Sequence, residues 1–441
     1  MRTIRFARYW GGPDGPHYVT GVTMRAMPVL PWRPWLLGVL LVTTMTHLVV
    51  TAANQGADRS APSGKVAVYA SVGEELITFR ADLDRATLSR QSSLVLPGFV
   101  QEAWTSTSGP FLYVAWSNGG TSYAGSGVTP RGDQHGITAF QVDSTGALHV
   151  HGSPASLRSR PIHITGDASA RHLLVAYNDP SGVSVHTINA DGTLGSEVPQ
   201  SSGLDVGVYA HQVRVLPSND LVILVTRGNE PTSTTKEDPG ALKVFRYNDG
   251  KLTNLASIAP SNGIGFRSRH LDFDRTRPWI FLTLEAQNRL EVFTRTGGAL
   301  AAAPLFSKAT LPDGTGVKAG QTASAIHMHP NGQFVYVANR GSANRGTNNI
   351  SVFRLNQQTG EPSLIQNADT HGFTPRTFFV DPSGRLLVVG NQTTTSAGGS
   401  VVPANLALFR IGADGMLEFV QRYDIAVGQK PLWWTGLVPL R

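Results

Sequence analysis

The sequence predicts an all-β fold: a seven-bladed β-propeller over residues 65–441, with blade 1 closed by the C-terminal strand and an N-terminal signal or anchor segment ahead of it. Three observations predict it. One strand pattern recurs at intervals of roughly 50–60 residues, within the range of propeller blades. The composition, with 47 Gly, 27 Pro and 15% charged residues, suits many short strands joined by tight turns and argues against long helices. The two ends of the repeat also complement each other, since the first unit lacks an inner strand and the chain ends on one.

The elements follow in order. Residues 35–53, WLLGVLLVTTMTHLVVTAA, come after Arg25 and Arg33 and before a small, polar stretch, the layout of a secretory signal. Met24 or Met27 as initiator gives ordinary signal proportions. An uncleaved anchor is the alternative, because the apolar stretch nearly reaches bilayer length. Residues 54–64 read as a linker. The expected location is therefore periplasmic or secreted, with membrane contact only through this segment if it is uncleaved.

The body opens with VAVYAS (66–71), which matches a second strand, and LITFRAD, which matches a third. Six full units follow, each an inner strand, a turn rich in Pro, Gly, Asp or Ser, and an apolar strand ending in a polar residue. They are centred on 103–118, 162–179, 211–228, 270–287, 326–341 and 377–392. Third strands such as ITAFQVD, LKVFRYN and ISVFRLN come next. KPLWWTGLVPL (430–440) then supplies the inner strand missing from the first unit, and closing the ring in this way removes open sheet edges. Trp433 and Trp434 are expected to pack this closing strand.

Charge narrows the function. Residues 1–60 hold six basic and two acidic residues, leaving 31 basic against 28 acidic in the remainder. No Lys/Arg block with interleaved aromatics occurs, so no nucleic-acid partner is expected. The chain has no cysteine, which excludes disulfides, zinc–thiolate sites and iron–sulfur clusters. His327 and His329 form a His-x-His pair, but His329 opens a turn and no third ligand is evident, so no metal is expected.

FRSRHLDFDRTRPWIFLTLEAQNRLEVF (266–293), SAIHMHPNGQFVYVANRGSANRGTNNISVF (324–353) and GVYAHQVRV (207–215) carry a resemblance. With them the chain resembles the lactonase (6-phosphogluconolactonase-like) seven-bladed propeller family over roughly residues 65–440. The resemblance implies chemistry without metal or other cofactor on an anionic lactone or sugar acid at one mouth of the channel. Tyr209, Thr226, Ser268 and Leu284 depart from the family pattern near the expected site.

His211, Arg269, Glu285 and Arg340, from three consecutive blades, are the candidate catalytic residues. Lactone hydrolysis needs a base to activate water and a cation facing the developing oxyanion. Arg269 and Arg340 are expected to clamp the anionic group, since a guanidinium fork binds two oxygens at once. Glu285 or His211 takes the proton, the imidazole being the more natural base near neutral pH. His327 and Arg376 are candidate substrate contacts. His270, next to Arg269, is expected to alternate to the opposite face as a packing residue. The loop at 229–239 is expected to border one mouth of the channel. The alternative to a sugar-lactone hydrolase is a non-catalytic exported propeller used for binding or scaffolding, because FVYVANRGSANRGTNNISVF also resembles the propeller repeats of surface proteins.

Overall fold

The computed structural model describes residues 65–119, 132–341 and 346–440. The expected signal or anchor and its linker lie outside the described residues. Among the described residues the strands form seven radial antiparallel sheets. Blade 1 joins Lys65–Val72, Glu75–Asp82 and Thr87–Val95 to the closing strand Leu432–Pro439, which takes the innermost position. The remaining inner strands are Phe99–Thr105, Pro161–Gly166, Ala210–Val215, Ser268–Phe273, Gln321–Met328 and Phe373–Val380, for blades 2 to 7. The expected ring and its closure are both present.

Apolar alternation places the core between the blades. Each second strand is buried on both faces, as in Leu221–Thr226 and Trp279–Leu284. Among the described residues there is one hydrophobic cluster per neighbouring pair of blades. Leu224 and Phe245 join Val185 between blades 3 and 4, and Ile223 and Val225 join Leu282 and Phe293 between blades 4 and 5. Each such side chain removed from water contributes about 1.5–3 kcal/mol. Polar locks add register: Tyr69 Oη donates to the Gly146 carbonyl at 2.8 Å and Tyr113 Oη to that of Gly192 at 2.8 Å, each reaching a turn of the next blade. At the closure, a Cβ on Gly390 would meet the side chains of Leu432 and Thr435 at 2.7 Å, so a larger residue there would displace part of the last strand's packing against blade 7. Trp433 and Trp434 are buried in the cluster between blades 1 and 2, as expected.

One irregularity recurs in all seven blades. The pairing of inner and second strands slips by one residue near the start of the inner strand. Gln101, Ile162, His211 and Arg376 are the extra residues in blades 2, 3, 4 and 7. In the other blades the slip falls at Arg269–His270, Ser324–Ala325 and Trp433–Trp434. A β-bulge leaves a residue unpaired and re-aims its side chain. In blades 2, 4, 5 and 7 these bulges hold the polar side chains of Gln101, His211, Arg269, His270 and Arg376 at matching points of the inner strands, whereas Ile162, Trp433 and Trp434 pack into the core.

Candidate active site

The strand after each bulge faces the channel, and in blades 4, 5 and 6 the end of the second strand lies beside it. Arg227 and Glu285 follow directly after the paired Thr226 and Leu284, and Arg340 takes the matching place after Asn339, where the pairing continues through Thr322. On neighbouring blades these three side chains interlock. Arg227 Nε donates to Glu285 Oε2 and Arg340 Nη2 to Glu285 Oε1. Arg269 Nε donates to Glu285 Oε1 at 3.3 Å. Burial alone would raise the Glu285 pKa, but the guanidiniums of Arg340, Arg227 and Arg269 outweigh it and hold the carboxyl well below the usual range.

His211 belongs to the same cluster. Its ring meets that of His270 edge-on, with centroids 5.0 Å apart, and its Nδ1 is buried without a hydrogen-bond partner among the described residues. Burial, then the charge of Arg269, depresses its pKa well below 6.5, so the imidazole is neutral at pH 7. His270 does not turn away as alternation predicts. The bulge at Arg269–His270 breaks the two-residue period, and His270 lines the channel between His211 and His163. Arg269 Nη1 donates to His270 Nε2 at 3.5 Å, linking the ion cluster to the channel wall.

The backbone is strained at the same level. Tyr209, Arg267 and Thr374 have φ of 57°, 29° and 57°, each two residues before His211, Arg269 and Arg376. Left-handed non-glycine residues cost about 1–3 kcal/mol each and concentrate at functional sites. The departures from the family pattern have structural places. Thr226 Oγ1 donates to the Ala241 carbonyl at 3.0 Å, and Ser268 Oγ to that of Thr226 at 2.8 Å. Leu284 fills the core between blades 4 and 5, and Tyr209 lies under Arg227, 5.7 Å from ring centroid to guanidinium carbon.

The structure thus brings His211, Arg269, Glu285 and Arg340 together, yet more deeply than a channel mouth implies: Arg269 is 0% and Glu285 1% exposed. A carboxylate shared among guanidiniums draws them inward, and the loop at 229–239 reaches the neighbouring Arg227 and Arg267. Glu230 of that loop accepts from Arg227 Nη2 at 2.7 Å, and its Glu237 pairs with Arg267 Nη2 at 3.0 Å.

His327 lies elsewhere on the axis, whereas Arg376 stands at the bulge level of the cluster, where its charge acts on His211 and His270. A channel of about 570 Å3 opens from the opposite mouth, with His327, Arg214 and Asp272 in its wall, and runs inward to His163, His270 and Glu102. The His327 ring stands edge-on to Phe378 at 4.9 Å. His329 lies in a turn, where its Nδ1 accepts from Asn331 N at 3.1 Å and its Nε2 bonds the Gly384 carbonyl at 2.9 Å, so the His-x-His pair is not arranged as a chelate. The Arg376 guanidinium lies 3.5 Å over the Trp433 ring.

Two side chains escaped the sequence reading. Arg227 had a signal, since LVTRG aligns with VANRG and so with Arg340. Glu102, half-buried on the channel wall, had as its signal only that it is the one charged residue of the inner-strand stretch FVQEAW. Burial pushes its carboxyl up to about 7, against the Ala103 backbone N–H and the Arg376 charge.

Fold and cluster together define a propeller with an axial site in which several blades place cationic and imidazole groups around one buried anion. The sequence profile of the family described as "Lactonase, 7-bladed beta-propeller" matches residues 66–403. The chain belongs to this family. It is 25% identical over 342 residues to a 6-phosphogluconolactonase of Bacillus subtilis (strain 168), covering 75% of this chain and 88% of that one. It is 27% identical over 339 residues to a 6-phosphogluconolactonase of Erwinia tasmaniensis, covering 76% and 88%. Among solved structures it is similar to a periplasmic gluconolactonase of Pseudomonas aeruginosa, at a TM-score of 0.61 and 20% identity over 86% of this chain and 100% of that one. A protein from Lactobacillus plantarum aligns at a TM-score of 0.64 and 22% identity, over 85% and 99%.

Proposed function

We propose that this propeller is a metal-independent lactonase that opens a sugar-acid lactone at the axial cluster, and that it works in the periplasm or outside the cell. The observation that carries the reading is the convergence of Arg227, Arg269 and Arg340 on Glu285, beside a neutral His211 with an unpartnered Nδ1. In this reading Glu285 is the counter-charge that fixes the guanidiniums, because a carboxylate so strongly stabilised is a poor base. His211 Nδ1 takes the proton as water attacks the lactone carbonyl. Arg269 and Arg340 face the resulting oxyanion. The ring C–O ester bond then breaks, the proton passes from the imidazole to the departing alkoxide, and a hydroxy acid forms. His327 is proposed as an outer contact along the axis and Arg376 as a substrate contact beside His211. The names of the bacterial relatives and the apolar stretch at 35–53 support the substrate class and the location.

The test follows acid release from gluconolactone, its 6-phosphate and muconolactones at a pH where spontaneous opening is slow, using protein that lacks residues 1–60. Faster opening with protein than without it is the expected result. Equal rates on every substrate would favour a binding role and overturn the proposal.

A further inference from the structure

The guanidiniums of the cluster are answered by more than Glu285. Arg227 Nη2 donates to Glu230 Oε1 at 2.7 Å, while its Nη1 points to the Gly228 carbonyl at 3.4 Å. Arg267, buried next to the cluster, pairs with Glu237 at 3.0 Å, and Glu237 is held a second time by the Gly265 backbone N–H at 2.7 Å. Arg227, Arg267, Arg269 and Arg340 therefore bring four positive charges, and Glu230, Glu237 and Glu285 return three. His211 and His270 add none, both being neutral near pH 7. Arg376 lies over Trp433 outside this ion-paired set, and its charge acts on His211, His270 and Glu102, whose carboxyl burial raises to about 7. Lys236, on the same loop, is exposed. Within this ion-paired set the surplus is a single positive charge, which suits a neutral lactone and its monoanionic product. A phosphate monoester near pH 7 carries up to two charges, and at Arg227 it would have to displace or adjoin a carboxylate.

We propose that the loop at 229–239 sets the charge the site accepts, and that Glu230 makes it select an unphosphorylated sugar lactone over the phosphate ester. This rests on the lactonase reading and names its substrate class. Glu230 is the adjustable member of the set. Its side chain is 62% exposed and rests on Arg227, whereas Glu237 is anchored twice. An exposed charge of this kind moves a binding equilibrium by up to about fivefold for a single charge, and more for a dianion.

The test compares the wild type with Glu230→Gln, an isosteric change that removes the charge, and with Glu230→Asp. The first readout is the kcat/KM ratio for gluconolactone against its 6-phosphate. The wild type is expected to favour gluconolactone. Glu230→Gln should shift the ratio toward the phosphate by about fivefold, through KM for the phosphate rather than kcat, and Glu230→Asp should keep the wild-type preference. The second readout needs no turnover: calorimetric binding of gluconate and 6-phosphogluconate to the same proteins, with the same order expected. A wild type that prefers the phosphate, or a ratio unmoved in Glu230→Gln, overturns the inference while leaving the lactonase reading intact. Absence of turnover with the binding preference retained removes the lactonase reading alone. Binding of neither acid overturns both.

Discussion

Replacing Glu285 by Gln probes the centre of the molecule. The substitution keeps the shape and removes the charge, leaving the buried guanidiniums of Arg227, Arg269 and Arg340 facing a neutral amide. Breaking a buried ion pair from one side costs about 3–5 kcal/mol, because the partner charge stays desolvated. With an unfolding entropy near 2.1 cal/mol/K per residue, 1 kcal/mol is worth a little over 1 °C in a propeller of this size, so Tm should fall by about 5 °C at pH 7. The sign with pH follows from the depressed Glu285 pKa. A carboxyl whose folded pKa lies below its unfolded value adds stability above the unfolded value, about 4.3, and loses it as pH falls through the folded one. The gap between wild type and variant should therefore narrow below about pH 4.3. The assay is thermal unfolding by circular dichroism from pH 7 to pH 3. A variant melting within 1 °C of the wild type at pH 7, or a gap that widens in acid, would refute the reasoning.

Other predictions concern the neighbours of that carboxylate. His211→Asn should lower kcat for lactone opening by about 100-fold or more, the usual worth of a general base. Because the His211 pKa is depressed, the wild-type rate should hold as pH falls through 6.5 and drop only at lower pH, as read from a pH–rate profile. Glu102→Gln should change stability in the opposite sense to Glu285→Gln. The folded pKa of Glu102 is raised to about 7, so its ionisation costs stability progressively from its unfolded value up to about 7; the variant should match the wild type in acid and melt higher above pH 7. Deleting residues 430–441 removes the inner strand of blade 1 and exposes an unpaired sheet edge, and size-exclusion chromatography should show aggregation in place of a monodisperse peak.

The blades were legible because a propeller repeats its instructions. Apolar second strands such as LVILVT and WIFLTL recur with the same turns, and the two tryptophans of the last strand have a place only in blade 1. Arg269, Glu285, Arg340 and His211 could be grouped because they fall at matching points of that repeat. What escaped was local aim. A two-residue alternation sends His270 away from Arg269, and no sequence pattern announced the bulge that returns it to the channel. Arg227 was passed over although it aligns with Arg340, since a strand-ending arginine looks like a solvated one until a carboxylate from the next blade is found against it. The depth of the cluster escaped for the same reason: burial of Arg269 and Glu285 results from pairing across blades, which a single strand does not encode.

The central claim is that this gathered cluster, and no other face of the propeller, receives the ligand. Histidine-selective NMR during addition of gluconate tests it most directly. The ring signals of His211 and His270 should shift together and saturate at one concentration, while those of His149 and His151, paired near Asp143 and Asp191 on outer turns, stay in place. Shifts confined to the outer histidines, or a His211 signal unmoved at saturating gluconate, would contradict it.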